Sequence, residues 1–421
     1  MLGRHGEASL AAMQLGGALE WSIWSVFAAF EVGTIARVGW HVGARNPDAA
    51  RRAARISLVA AAAMGTALAL ASPLLLELLP YAARNVSPAA LAEARAYLGV
   101  TIAASPLVFV ATITVATLQA GGDTRTPLAI GILANVVHVG LNYLLIPILG
   151  ARGAGISTAV TFGLEAGMAT LALMSLSRPV SLRRSSTGRG ARTAERSETQ
   201  REARKLANIA IPAFFERVLY HVGYVGYVLI IARLGDASMA ANQSLISIES
   251  ICFLSADGFG IASAALVAQK LGAGEAEAAQ KVARIAARNA MVVLTIFGLC
   301  AVALRGVILP VFSTDPEVLA IGRRTIPVLA VVQPFMAVGI VLAQSVRGAG
   351  RTREALMVSV ISAVLVRLTA TWFFAITLGL GLIGVWMGST LDWIVRSILL
   401  GVVWRRTATR ASAEHDATLV P

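Results

Sequence analysis

Residues 128–149 read LAIGILANVVHVGLNYLLIPIL, twenty-two positions with no carboxylate, lysine or arginine and a single histidine, His138. At 1.5 Å per residue, about 20 apolar residues in a helix cross the roughly 30 Å hydrocarbon layer of a bilayer. The stretch shows none of the polar/apolar alternation of a barrel strand, so its backbone must satisfy its own hydrogen bonds as a helix. Residues 56–76 and 100–122 are equally free of ionisable side chains. Over all 421 residues only 14% are charged, against about 25% in soluble domains, and the mean hydropathy is +0.72. That composition excludes a soluble enzyme and points to an all-α polytopic membrane protein.

Working outward from 128–149, eleven spans are expected, near 8–35, 56–79, 96–118, 128–149, 155–177, 206–232, 238–266, 285–309, 325–346, 355–377 and 382–404. Alternate connections are rich in arginine. One set (41–55, 119–127, 178–205, 270–288, 347–353 and the tail after 404) holds 24 of the 36 Lys and Arg residues, the opposite set 7. The positive-inside rule places the first set in the cytoplasm. The resulting organisation is an N-terminal bundle of five spans over 1–177, a basic linker at 178–205, a C-terminal bundle of six spans over 206–404, and a cytoplasmic tail at 405–421. The linker is Ser/Thr-rich and reads as flexible. It lacks interleaved aromatics, so no nucleic-acid partner is expected. Cys252 and Cys300 sit in apolar runs and read as packing residues.

The chain repeats itself. A shift of 229 residues lays Glu7–Gln14 on Asp236–Gln243, Glu20 on Glu249, Val42-Gly43-Ala44 on Leu271-Gly272-Ala273 and Arg55-Ile56 on Arg284-Ile285. A shift of 228 lays Pro106 on Pro334 and Ala120–Arg125 on Gly348–Arg353. Six crossings separate the two copies, so both point the same way, and a pair of parallel-repeat bundles around a central cleft is expected. The second copy starts with a helix, 206–232, that has no counterpart in the first.

At these residues the chain resembles the multidrug and toxic compound extrusion (MATE) family of cation-coupled exporters. The resemblance is carried by ALEWSIWSVFAAF at 18–30, QAGGDTRTP at 119–127, NVVHVGLNYLLI at 135–146, IPAFFERVLYHVGYVGYVLIIARLGD at 211–236 and AANQSLISIESICFLSADGFGIASAALVAQKLGAG at 240–274. It implies a twelve-helix, two-lobed antiporter, here lacking the first helix. Such a protein exports organic cations or drugs from the bacterial inner membrane in exchange for protons or sodium ions. The expected substrate is a small organic cation and the expected working unit a monomer. Neither a cofactor nor a metal is expected beyond the coupling ion.

Ionisable side chains in mid-membrane are expensive and so mark candidate sites. Glu216 comes first: it resembles the acid that relatives carry four residues after a proline, here Pro212, in the seventh helix. At 100° per residue Tyr220, Tyr224 and Tyr227 fall about 40°, 80° and 20° from it, one acid and three phenols on one helix face. Such a face suits an organic cation. Against this, Tyr224 and Tyr227 also fit an interfacial aromatic belt, and Glu216 a structural ion pair. Glu20 and Glu249 occupy equivalent mid-helix places and read either as ion-coupling groups or as structural anchors. Arg217 and Arg367 read as buried counter-ions, the latter for Asp392 or Glu165.

The resemblance is incomplete at both coupling positions. Where proton-coupled relatives place an Asn and an Asp in the fifth helix, this chain offers His138 and Asn142. The histidine either titrates near neutral pH or stays neutral, bonded to Asn135 or Asn142. Where sodium-coupled relatives place an acid in the tenth helix, 331–345 offers only Gln333 and Gln344. Two other readings stay open, a flippase for a lipid-linked or amphipathic substrate and a degenerate, non-transporting membrane protein. The turns GGDTRTP and RGAGRTR lack phosphate-loop spacing, and no catalytic set converges, so an enzyme is not expected.

Overall fold

A computed structural model describes residues 7–82, 87–176 and 189–419. Helices account for the described chain in the order α1 (Glu7–Phe27), α2 (Ala29–Gly43), α3 (Pro47–Ala82), α4 (Pro88–Ala103), α5 (Ser105–Ala120), α6 (Arg125–Leu176), α7 (Arg189–Ala232), α8 (Asp236–Gly272), α9 (Ala276–Ala303), α10 (Arg305–Phe312) and α11 (Pro316–Gly348). After these come α12 (Thr352–Ser359), a π-helical segment Val360–Val366, α13 (Arg367–Trp372), a second π segment Phe373–Thr377, and α14 (Gly381–Leu419). No strand occurs among the described residues.

Eight of these rods are long and apolar enough to span a bilayer, counting α12 to Thr377 as one; the bent pair α4–α5 adds a ninth. The fold-back inside α6 raises the tally. Gly150 has φ 55° and ψ −135°, a backbone state that residues with a Cβ avoid. Its two arms, 125–149 and 151–176, are each long enough to cross, as expected from the apolar runs.

Local chemistry explains the other breaks. Ser87 caps α4, its hydroxyl accepting from the Ala90 amide at 3.3 Å, with Pro88 at the first helical position. Pro106 lacks an amide donor, and its ring crowds the carbonyl one turn back; α4 and α5 meet there at 50°. Asp315 caps α11 by accepting from the Glu317 amide at 2.8 Å. The repeated turns before α6 and α12 both pass through left-handed glycines, Gly122 (φ 94°) and Gly350 (φ 77°).

The chain divides into two compact units, residues 1–38 with 46–208, and 39–45 with 209–421. In the first, α1 packs on α4, α3 on α5, and α6 on both α4 and α5. Its core includes Leu79, Leu98, Ile102 and Ile146 around Tyr97. In the second, α11 lies against α8, α9 and α14, which is why Leu329, Val332, Gln333 and Val341 are wholly shielded. Large apolar side chains such as Leu70, Ile148, Val307 and Val311 point outward, the inverse of a soluble protein and the pattern a bilayer demands. Within the second unit, residues 39–45 meet the end of α8 at backbone contact. A Cβ on Gly43 would strike the Gln269 carbonyl, and one on Gly272 the Trp40 carbonyl. These two contacts are interchanged by the 229-residue shift, so the repeat seen in the sequence reappears as a reciprocal glycine crossing.

Two expectations about the connections need correction. The linker 178–205 reads as flexible by composition, but its described part, 189–205, is the start of α7. Glu202 there is buried and takes a two-pronged bond from Arg37, at 2.7 and 2.8 Å, while Arg52 pairs with Glu198 at 2.5 Å. Ion pairing organises what side-chain polarity alone does not. Residues 178–188 lie outside the described residues. Likewise Arg347, counted among loop charges, belongs to α11 and is largely buried.

Candidate functional site

Glu216 on α7 is 5% exposed. Arg347 of α11 grips it with Nη2 at 2.5 Å from Oε1 and Nε at 3.2 Å from Oε2, and Ser359 of α12 donates to Oε1 at 2.6 Å. A carboxylate and guanidinium in this forked geometry neutralise one another. Tyr220 shares a cavity with Glu216. The other two phenols lie further along α7: Tyr224 and Tyr227 stack with ring centres 6.2 Å apart, and the Arg367 guanidinium sits 5.7 Å from the Tyr227 ring. Tyr227 is buried and Tyr224 exposed. The acid and three phenols therefore share a helix but not a single recess, and a protein cation already occupies the face of Tyr227.

Of the two partners offered for Arg367, Asp392 is the one used, at 2.8 Å. Arg396, one turn along α14, adds bonds of 3.1 and 3.2 Å to the same wholly buried carboxylate. Arg367 stands between the two π segments, which shift the register of side chains relative to an α-helix and often occur at functional places.

The first unit is built differently. Glu20 is 9% exposed and in mid-α1. The Tyr97 hydroxyl of α4 donates to its Oε2, while its Oε1 makes no hydrogen bond of normal geometry among the described residues, and the Thr101 hydroxyl stands beside the carboxylate as a second, looser donor. No arginine or lysine pairs with Glu20 among the described residues. Its repeat counterpart Glu249 is half-buried and lies in the field of Arg367. Glu165, half-buried on the second arm of α6, likewise has no hydrogen bond or ion pair among the described residues; it approaches Gly131 on the first arm.

His138 bonds to neither asparagine. Its Nδ1 lies 3.2 Å from the Thr161 hydroxyl on the returning arm of α6. Asn135 is exposed and donates to the Gly131 carbonyl at 2.9 Å, and the Asn142 side-chain carbonyl is buried without a partner. His138 faces the other arm, whereas Asn135 turns back on its own helix. On α11 the amide of Gln333 donates to the Leu329 carbonyl at 3.0 Å, and Gln344 donates to Asp257 at 2.7 Å. No group of three or more His, Cys, Asp or Glu suited to a metal ion occurs among the described residues. Sequence reasoning missed Arg347, Ser359, Tyr97 and Thr101 as site residues; the first three bond their acid from another helix and Thr101 stands beside Glu20 from α4, where spacing along one helix carries no signal.

The comparisons with known proteins agree with this architecture. The MatE family model matches residues 1–144 and again 212–373, mirroring the internal repeat. The probable multidrug resistance protein NorM of Thermotoga maritima is 25% identical over 407 residues, covering 94% of this chain and 85% of that protein. The multidrug resistance protein NorM of Aliivibrio fischeri is 24% identical over 349 residues, covering 80% and 74%. A solved structure described as the outward-facing conformation of a multidrug resistance MATE family transporter superposes with a TM-score of 0.82 at 19% identity. It covers 97% of this chain and 90% of that one, a likeness of fold. With the family model spanning well over half of its length, this chain belongs to the MatE family of multidrug-efflux transporters and is a polytopic membrane transporter, not an enzyme.

Proposed function

We propose that the protein is a secondary active antiporter of the inner membrane that exports organic cations or drugs in exchange for protons or sodium ions, and that the coupling ion is taken up at Glu20. The observation that carries this reading is the state of that carboxylate. It is buried, takes a phenolic hydrogen bond from Tyr97, has the Thr101 hydroxyl beside it, leaves Oε1 without a hydrogen bond of normal geometry and, among the described residues, has no cationic side chain paired with it. A bare charge so placed costs several kcal/mol. A proton or a small monovalent cation removes the cost, and Thr101 adds an oxygen for the latter. Glu216 is a weaker choice than its position in the seventh helix suggests, because Arg347 already fills both its oxygens. Coupling follows if the neutralised and the bare state of Glu20 favour different conformations, so that ion entry shifts the equilibrium and releases the substrate. The multidrug names of the two NorM relatives support the substrate class.

The test is export of a fluorescent organic cation from proteoliposomes under an imposed pH gradient or an imposed sodium gradient. Wild type is expected to respond to one gradient, and Glu20→Gln to lose at least tenfold of that response. A response of wild-type size in Glu20→Gln rejects the assignment.

A further inference from the structure

The end of the second unit that the positive-inside rule places outside the cell carries exposed arginines among apolar surface. There α9 ends at Ala303, α10 runs from Arg305 to Phe312, residues 313–315 turn, and α11 returns from Pro316. Leu309 of α10 packs on Gly322 of α11, where a Cβ would lie 3.3 Å from the leucine methyls, so the two helices form an antiparallel hairpin. Arg305 stands eight residues before Ser313, and Arg323 and Arg324 stand eight and nine after Asp315. At 1.5 Å per residue all three lie at nearly the same depth, roughly 12–14 Å from the tip. Arg323 and Arg324 are exposed and make no ion pair or hydrogen bond among the described residues. Arg305, also exposed, gives one N–H to the Val302 carbonyl at 3.3 Å. The nearby carboxylates do not neutralise them: Asp315 accepts backbone amides of its own helix, and Glu317, about two turns nearer the tip, pairs with neither arginine.

Arg323 and Arg324 are two of the seven basic residues on the arginine-poor side, where orientation gives no reason for them. Arg324 falls within about 60° of Ala320, Pro327 and Val331 around α11, all exposed, and on α10 Val307 and Val311 are 72% and 78% exposed. In a bilayer these apolar faces meet acyl chains. Cations set at the head of such faces call for an amphiphile. The guanidinium fork matches a pair of phosphate oxygens; a soluble anion would leave the valines uncovered, and a zwitterionic lipid brings its own ammonium to the arginines. We propose that α10 and the first turns of α11 bind a phospholipid of net negative head group, with its phosphate on Arg305, Arg323 and Arg324 and its acyl chains along Val307, Val311 and Val331. The site requires only that the chain spans a bilayer, and it uses none of the buried acids.

Photolabelling of the full-length protein in phosphatidylcholine nanodiscs tests it, with two probes that each carry a diazirine in one acyl chain, a phosphatidylglycerol and a phosphatidylcholine. Labelled peptides are mapped by mass spectrometry. One basic side chain at an anionic surface is worth roughly fivefold in binding, so the phosphatidylglycerol probe is expected to label residues 304–331 at least fivefold more than the phosphatidylcholine probe. Arg323→Gln/Arg324→Gln should bring that ratio below twofold while labelling of the other helices stays within twofold of wild type. Arg305→Gln alone should lower the ratio at least twofold, an independent reading should the double variant fail to fold. Unlabelled phosphatidylglycerol should displace the probe, and inorganic phosphate in hundredfold molar excess should not. Equal labelling of 304–331 by the two probes overturns the proposal, as does a preference that survives loss of the arginines. Displacement by inorganic phosphate as effective as that by the lipid overturns it too, since the ligand would then be a free anion.

Discussion

The two units contain the same repeated helices and treat their buried acids in opposite ways. In the second, Glu216 has Arg347, and Asp392 has both Arg367 and Arg396. In the first, Glu20 has a phenol and Glu165 has no partner among the described residues. Duplication conserved the scaffold while the charges diverged. Fixed ion pairs suit a unit that holds its shape, and a carboxylate with no cation beside it among the described residues suits one that exchanges an ion.

The largest effect that separates the units is expected on stability. Arg347→Ala leaves Glu216 buried without its cation and should cost about 3–5 kcal/mol, with a good part regained in Arg347→Ala/Glu216→Gln. Glu20→Gln removes no ion pair and should cost less than about 1 kcal/mol. Thermal unfolding of the detergent-solubilised variants measures both, and equal costs would break the contrast. Next in size, Tyr97→Phe removes the hydroxyl that donates to Glu20 and should cost about 1–3 kcal/mol. Its counterpart under the 228 shift is Thr325, whose hydroxyl merely donates to the Ile321 carbonyl of its own helix; Thr325→Val should cost less than Tyr97→Phe in the same assay. A larger loss at Thr325 would mean that the phenol is not supporting Glu20.

The smallest effect lies in the repeated turns. The Thr126 hydroxyl and amide hold the Asp123 carboxyl below the usual carboxylate range. A depressed folded value means that this contribution is present above the ordinary aspartate value of about 3.9 and fades as pH falls through the lower folded one. The other copy has Arg351 at this place and no such titration. Asp123→Asn should therefore flatten a small acid-side decline in melting temperature, while Arg351→Gln leaves that decline unchanged. An unaltered acid limb in Asp123→Asn would remove Asp123 from the account.

Much of this was legible in the sequence because it depends on periodicity along one helix. Charge-free runs announce the helices, the interruption after Leu149 announces the fold-back at Gly150, and the collinear matches announce the repeat. Charge alone narrows Arg367 to Asp392 or Glu165, since few anions lie that deep, and the structure settles on Asp392. The same rule failed for Arg347, which sits among the arginines 347–353 and reads as one more loop charge until α11 is seen to bury it. Tyr97 lies 77 residues from Glu20, and Thr161 lies 23 from His138; which residues meet depends on how each helix is rotated against its neighbour. The helical start of α7 was hidden by composition, because a polar segment is ordered here by the charges of Arg37 and Arg52 and not by apolar burial.

Substrate-driven ion movement weighs most directly on whether the first unit carries the coupling ion. With purified protein in sealed vesicles, a substrate gradient is imposed and the opposing movement of protons and of sodium is recorded for Glu20→Gln beside Glu249→Gln, each the repeat's control for the other. Loss of ion movement in Glu20→Gln with near-normal movement in Glu249→Gln is the predicted result. Ion movement that survives in Glu20→Gln and disappears in Glu249→Gln would contradict the account.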